Sequence, residues 1–180
     1  MKRLSSLALI ALISFATPAV AEDVKQSIAV VNIQQIMREA TAAKSVREQL
    51  ESKQKSFQAD ITKKEEALQK EDQELAKKQS VLSKEAFAEK AKAFRTKATE
   101  VQKEVQAKKA MLDNGFERAL NDIQKAVNEI IAEMAKEKGF ALALPTSQVL
   151  YADEKMDISK DVLDRLNKKL PKLDVKFDAK

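Results

Sequence analysis

Lysine, arginine and the two carboxylate residues carry nearly all the reactive chemistry this chain has to offer. None of its 180 residues is a cysteine or a histidine. Disulfides and thiolate metal sites are therefore impossible, and the commonest general base and metal ligand is missing. A carboxylate-only site for calcium or magnesium would call for a loop of the D-x-[DN]-x-[DN]-G type, which does not occur. Phosphate-cradling loops such as G-x-x-x-x-G-K-[ST] or G-x-G-x-x-G need clustered glycines. The chain has two, Gly115 and Gly139, far apart. The sequence thus argues against an ATP-driven mechanism, and no spacing of Ser, Lys or carboxylate positions a catalytic constellation. We expect a non-enzyme that needs no cofactor and no metal.

What remains is charge carried on a framework, and the framework starts with an address. Met1-Lys2-Arg3 is a short basic start, Leu4 to Phe15 is almost wholly apolar, and Ala19-Val20-Ala21 has the small-x-small pattern cut by signal peptidases. Residues 1–21 therefore read as a cleaved secretory leader, with Ala19 and Ala21 at the cleavage site. Its apolar run is well short of the ~20 residues that span a bilayer. No cysteine follows Ala21 to take a lipid. Without Lys2 and Arg3, 31 basic residues face 28 acidic ones, a net charge of about +3.

Few aromatics (4%), 34% charged residues and an abundance of Ala, Glu, Lys, Gln and Leu argue for long helices over a large globular core. No proline lies between Glu22 and Pro145. Asn32 reads as an N-cap, with Gln35 completing a capping box. Ile36, Ala43, Leu50 and Phe57 recur every seven residues, and Ile61, Leu68, Leu75 and Leu82 continue the series on the neighbouring stripe. Ser80 to Ser83 interrupts the charged rhythm, and Ser83 followed by Glu85 starts a new helix. Phe87, Ala91, Phe94, Ala98, Val101 and Val105 then alternate four and three apart. The series runs on through Leu112, Phe116, Leu120, Ile123, Val127, Ile130 and Met134. Gly139 closes this helix at C′, with Lys136 and Lys138 in its last turn. Gly115 reads as a bend. The expectation is a coiled-coil hairpin over residues 34–138 with its tip near 80–84, in arms of about 65 to 80 Å.

Toward the base, Leu120 to Ala135 cover a broader apolar arc than one partner helix can bury. Short β-branched runs, Ser27–Val31, Gly139–Leu144 and Gln148–Tyr151, read as three strands. Ser159 reads as the cap of a last helix carrying Val162, Leu163 and Leu166, stopped by Pro171. Residues 22–33 and 139–180 would form this β-rich body. It is too small for a comfortable core of its own, so self-association is expected through Ile28, Val30, Phe140, Leu142, Leu144, Leu150 and Tyr151, with Tyr151 in the core.

The order of leader, Ile28-Ala29-Val30-Val31-Asn32, charged hairpin, Glu137-Lys138-Gly139-Phe140, Val149-Leu150-Tyr151-Ala152-Asp153 and Asp157-Ile158-Ser159 resembles the Skp (OmpH) family over the whole mature chain. Val-Leu-Tyr-Ala-Asp followed by Asp-Ile-Ser carries most of the likeness. Pro145-Thr146-Ser147, where the family more often has a charged turn, and Asn32, where Asp is common, depart from it. The resemblance implies a mainly α fold with a small β body, and a homotrimer whose three arms enclose a cavity. It also implies ATP-independent holding of unfolded outer-membrane β-barrel proteins in the periplasm.

Charge is uneven along the arm. Lys77 to Lys109 holds ten basic and four acidic residues, about +6, and leaves the rest of the mature chain near −3. A solvated coiled-coil surface would account for this. The functional alternative is contact between the tip and acidic clients, an anionic membrane surface or lipopolysaccharide. Its candidates are Lys77, Lys78, Lys84, Lys90, Lys92, Arg95 and Lys97, with Val81 and Leu82 at the tip. Phe87 and Phe94 belong to the seam. A nucleic-acid partner, which pI ≈ 9.2 invites, fits neither the leader nor the lack of stacking aromatics. The rival function is a structural spacer or adaptor of the cell envelope, with no chaperone activity.

Overall fold

A computed structural model describes residues 27–178. The expected leader and its expected cleavage residues, Ala19 and Ala21, lie outside the described residues. The elements run β1 (Ser27–Val31), α1 (Ile33–Glu39), α2 (Thr41–Lys78), α3 (Lys84–Lys138), β2 (Phe140–Pro145) and α4 (Ser159–Lys169). Single 3-10 turns at Thr146–Gln148 and Glu154–Met156 lie between the last two.

The arm is α2 packed along α3. Their 38 and 55 residues correspond to about 57 and about 82 Å of helix. The seam follows the heptad reading at the base. Ile36, Ala43 and Val46 share one buried cluster with Ile123, Val127, Ile130 and Met134, and Ile61 is buried separately, further out. Full burial of such side chains contributes about 1.5–3 kcal/mol each. Further out the seam thins, and between Ile61 and Gly115 no residue of either helix is fully buried.

The tip closes at residues 79–83. Val81 and Leu82 both donate their N–H to the Lys78 carbonyl, at 3.2 and 3.0 Å. Ser83 adopts an extended backbone, and its Oγ accepts the Ala86 N–H at 3.2 Å, the N-cap its sequence position suggests. At the other end of α3, Gly139 takes φ 74°, a left-handed C-cap that L side chains rarely adopt.

Several expectations are corrected. The first helix is not continuous. It breaks at Ala40 (φ −55°, ψ 135°), and the free N–H of Thr41 is taken by Asn167 Oδ1 of α4 at 2.9 Å. Arg47 fills the matching gap by donating to the carbonyls of Met37 and Arg38 at the end of α1. The capping box is half formed. Asn32 Oδ1 accepts the Gln35 N–H at 2.9 Å, but the Asn32 N–H goes to Ser159 Oγ at 2.7 Å. Ser159 is thereby diverted from capping α4, and Asp157 Oδ1 accepts the Ser159 N–H at 2.8 Å in its place. The stretch Gln148–Tyr151 is not a strand, because its segment turns through a 3-10 helix at Thr146–Gln148.

The sheet is two parallel strands, with Ile28 opposite Leu142 and Val30 opposite Leu144. Ala29, Val30 and Val31 are all buried, the unalternating pattern of a parallel strand covered on both faces. On its other side Val30 bridges to Asp157, its carbonyl accepting the Ile158 N–H at 2.9 Å. Helix α4 packs Val162 and Leu166 against α1 and α3 to complete the core.

Helix α3 runs through Gly115 without a break. The segment after α4 turns back along the hairpin and passes over it, so close that a Cβ there would stand 3.1 Å from Val175 Cγ1.

Candidate functional site: the surface of the arm

The basic residues of the outer arm do not form one patch. Lys78, Lys90 and Lys97 converge around a shallow groove of about 310 Å³ floored by Leu75, Ala93 and Phe94. Two of the three are already engaged: Lys97 with Glu71 at 2.8 Å across the seam, and Lys78 with Glu74 at 3.6 Å along it. Lys77, Lys84, Lys92 and Arg95 do not line this groove. Together with Lys90, they have no acidic partner within 4 Å among the described residues. Val81 is 80% exposed at the tip, Leu82 is half-buried, and Phe87 and Phe94 are half-buried in the seam.

A second groove, of about 610 Å³, opens lower on the arm. Leu50, Phe57, Ile61 and Leu112 line it, and Val105 and Phe116, each 39% exposed, stand on it although the heptad pattern assigns them to the seam. Lys108 takes up seam space instead. Its side chain is 16% exposed, and its ammonium contacts Asp60 and, at 2.9 Å, Glu104. Lys64 also reaches Glu104, at 2.5 Å. The hydrogen bond from Lys108 holds the Asp60 carboxyl below its ordinary value, and that from Lys64 does the same for Glu104. The Lys108 ammonium is pushed up by Asp60 first and Glu104 second. The ring of Phe57 has two ammonium groups near it, Lys53 at 5.0 Å and Lys108 at 5.1 Å from the centroid. Lys108 stands three residues after Val105 and four before Leu112, a seam position by spacing, but which carboxylate of the other helix it meets depends on the register of the pair.

In the body, Val30 and Phe140 are buried and Leu144 is half-buried. Ile28 and Leu142 are exposed on the sheet, and Leu150 and Tyr151 are fully and 86% exposed. Tyr151 is therefore not a core residue of the single chain. It lies just beyond the 3-10 turn where the expected third strand is missing.

A long two-helix arm with a thin, charged seam, springing from a small α+β base, defines a class of helical-hairpin proteins. Among solved structures, a protein of Caulobacter crescentus provisionally assigned as an OmpH-like outer membrane chaperone matches this fold with a TM-score of 0.76. It is 19% identical, over 83% of this chain and 88% of that one. The family model for OmpH-like outer membrane proteins matches residues 27–166, and the chain belongs to that family. No curated protein sequence matches it significantly.

Proposed function

We propose that the protein is a periplasmic holding chaperone, working without ATP, that keeps unfolded outer-membrane β-barrel proteins from aggregating between its arms. The observation that carries this reading is the arm from 62 to 114, a long two-helix projection with no fully buried residue. Such an arm offers modest apolar spots (Val81, Val105) among mixed charges, and ion pairs of Lys64 with Glu104 and Lys97 with Glu71 link its helices beside a half-buried apolar seam. Unfolded barrel strands alternate apolar and polar residues and aggregate in water. Many weak, fast-exchanging contacts on projecting arms hold such chains by multivalency while allowing handover. Membership of the OmpH-like family supports the same reading.

The body supports self-association. Ile28, Leu142, Leu150 and Tyr151 leave apolar surface uncovered around a two-stranded sheet with an open edge. A homotrimer, with Phe140 and Val30 beneath that surface, is the assembly the reading requires. The unpaired cations Lys77, Lys84, Lys90, Lys92 and Arg95 suit acidic client segments or an anionic lipid or lipopolysaccharide surface.

The test dilutes a urea-unfolded outer-membrane barrel into buffer with the mature chain and follows light scattering without nucleotide. Suppression saturating near one oligomer per client is the expected result. Undiminished scattering at several-fold excess of a folded oligomer would overturn the reading in favour of an envelope spacer.

A further inference from the structure

The segment after α4 lies beyond the span matched by the family model, yet it is held by specific contacts at the root of the arm. From Lys172 to Asp178 its burial alternates strictly: Leu173, Val175 and Phe177 are half-buried, and Lys172, Asp174, Lys176 and Asp178 are exposed. That is the pattern of an extended strand with one face on a surface.

Gln49 of α2 grips its backbone on either side of Asp174. Nε2 donates to the Leu173 carbonyl at 2.7 Å, and Oε1 accepts the Val175 N–H at 3.0 Å. Arg118 of α3 donates to the Lys176 carbonyl at 2.8 Å. Between them, the bare Cα of Gly115 admits Val175 and Phe177. A Cβ there would stand 3.1 Å from the first, 3.2 Å from the second and 3.2 Å from the Lys176 carbonyl. The Lys53 ammonium lies 5.7 Å from the Phe177 ring. Apart from a 3.7 Å approach of Arg118 to Asp178, the polar contacts of Gln49 and Arg118 with this segment are to backbone groups. Backbone groups are the same in every sequence. Apolar side chains at alternate positions meet a floor that takes them, as when an extended peptide adds to a sheet edge.

We propose that this root groove is a binding site for extended segments of unfolded polypeptide with alternating apolar and polar residues, and that residues 172–178 are its tethered resident. The inference rests on the holding function above and gives it a definite site. Transmembrane barrel strands have this alternation. A tethered occupant competes at an effective concentration in the millimolar range. A single weak segment therefore does not displace it, whereas a client engaged at several points along the arm does.

The test uses the full mature chain carrying Val175→Glu and Phe177→Glu, which frees the tail and leaves every groove residue unchanged. The probe is a fluorescein-labelled synthetic peptide of the sequence of residues 171–178, followed by anisotropy. It should bind the released variant about tenfold or more tighter than the unsubstituted chain. Gln49→Ala added to the released variant should weaken binding about tenfold, the loss of two backbone hydrogen bonds. No binding by a released variant of unchanged helix content, or equal binding to both chains, overturns the proposal. A second measurement avoids variants: hydrogen exchange at the Val175 amide of the unsubstituted chain, with and without the unfolded barrel. Acceleration of about tenfold is expected if the client takes the groove. Suppressed scattering with unchanged exchange at Val175 would sink the groove and leave the holding function standing. Failed suppression with tight probe binding would do the reverse.

Discussion

Arg165 of α4 and Glu137 at the end of α3 face each other through two parallel contacts, Nη1 to Oε1 at 2.9 Å and Nη2 to Oε2 at 2.5 Å. The pair fastens the last helix to the base of the arm, and Lys138 with Asp161 repeats the link alongside it.

The hydrogen bond from Arg165 holds the Glu137 carboxyl below its ordinary value of 4.5, and Lys138 does the same for Asp161. A carboxylate with a depressed folded-state value contributes stability above its unfolded value and loses it as pH falls through the folded one. Arg165→Ala should therefore lower the melting temperature by about 2 °C near neutral pH. The gap between variant and parent should close as the pH is taken progressively below 4.5. Thermal melts at neutral and acid pH check this, and a gap that widens in acid would refute it.

The base and the outer arm should respond differently to truncation. Ile130 is buried in the common core, and Ile130→Ala should cost about 2–5 kcal/mol in urea unfolding. Leu68 is only half-buried, so Leu68→Ala should cost less than about half of that. Equal losses would mean that the outer seam is packed as tightly as the base.

A Cβ added at Gly139 would meet no atom within 4 Å, so space is not the reason for glycine there. The reason is φ 74°. Gly139→Ala should destabilise by about 1–2 kcal/mol, and Gly139→Asn by less, since Asn tolerates this conformation. Urea unfolding of the two variants separates them.

Gly115 is the opposite case. Alanine there gains about 1 kcal/mol of helix propensity, but its Cβ would crowd Val175, Phe177 and the Lys176 carbonyl. Gly115→Ala should leave overall stability close to unchanged while the Val175 amide exchanges faster. A net gain near the full propensity value with Val175 still protected would mean that the tail does not press on Gly115.

The lattice of Lys64, Lys108, Asp60 and Glu104 predicts a plateau in arm stability. Asp60 and Glu104 are depressed, so their share is lost as pH falls through their folded values. Lys108 is raised, so its share is present below its ordinary value of 10.5 and lost as pH rises through its folded one. Helix content, followed by circular dichroism, should hold between these limits and decline outside both. High salt should weaken the exposed pairs across the whole range.

Much of this was legible in the residues. The heptads from Ile36 and the wider arc from Ile123 to Met134 named the core, because side chains one or two turns apart must share a face. Asn32, Ser83 and Gly139 named helix ends through local geometry. The break at Ala40 was hidden, since alanine is the best helix former and the cap for Thr41 comes from Asn167, 126 residues away. The tail was hidden for the same reason. The alternation of Leu173, Val175 and Phe177 was there to be read, but the surface receiving it is built from Gln49, Gly115 and Arg118 on two other elements. At the tip, the lysines stand out in the sequence as a charge excess. Only Lys78, Lys90 and Lys97 converge, because successive residues on a helix point about 100° apart.

The parallel pairing of β1 with β2 has a kinetic consequence. Ser27 lies opposite Phe140, at the far end of the whole arm. A chain closing that loop from the unfolded state would meet its entropy cost before gaining any contact. Zipping α2 onto α3 from the tip brings the same two ends together one turn at a time, each step local. The tip at Gln79–Ser83 thus becomes the natural starting point of folding, and the sheet its last event. Changes at Ser83 should slow folding, whereas changes at Val30 or Phe140 should speed unfolding and leave the folding rate nearly alone.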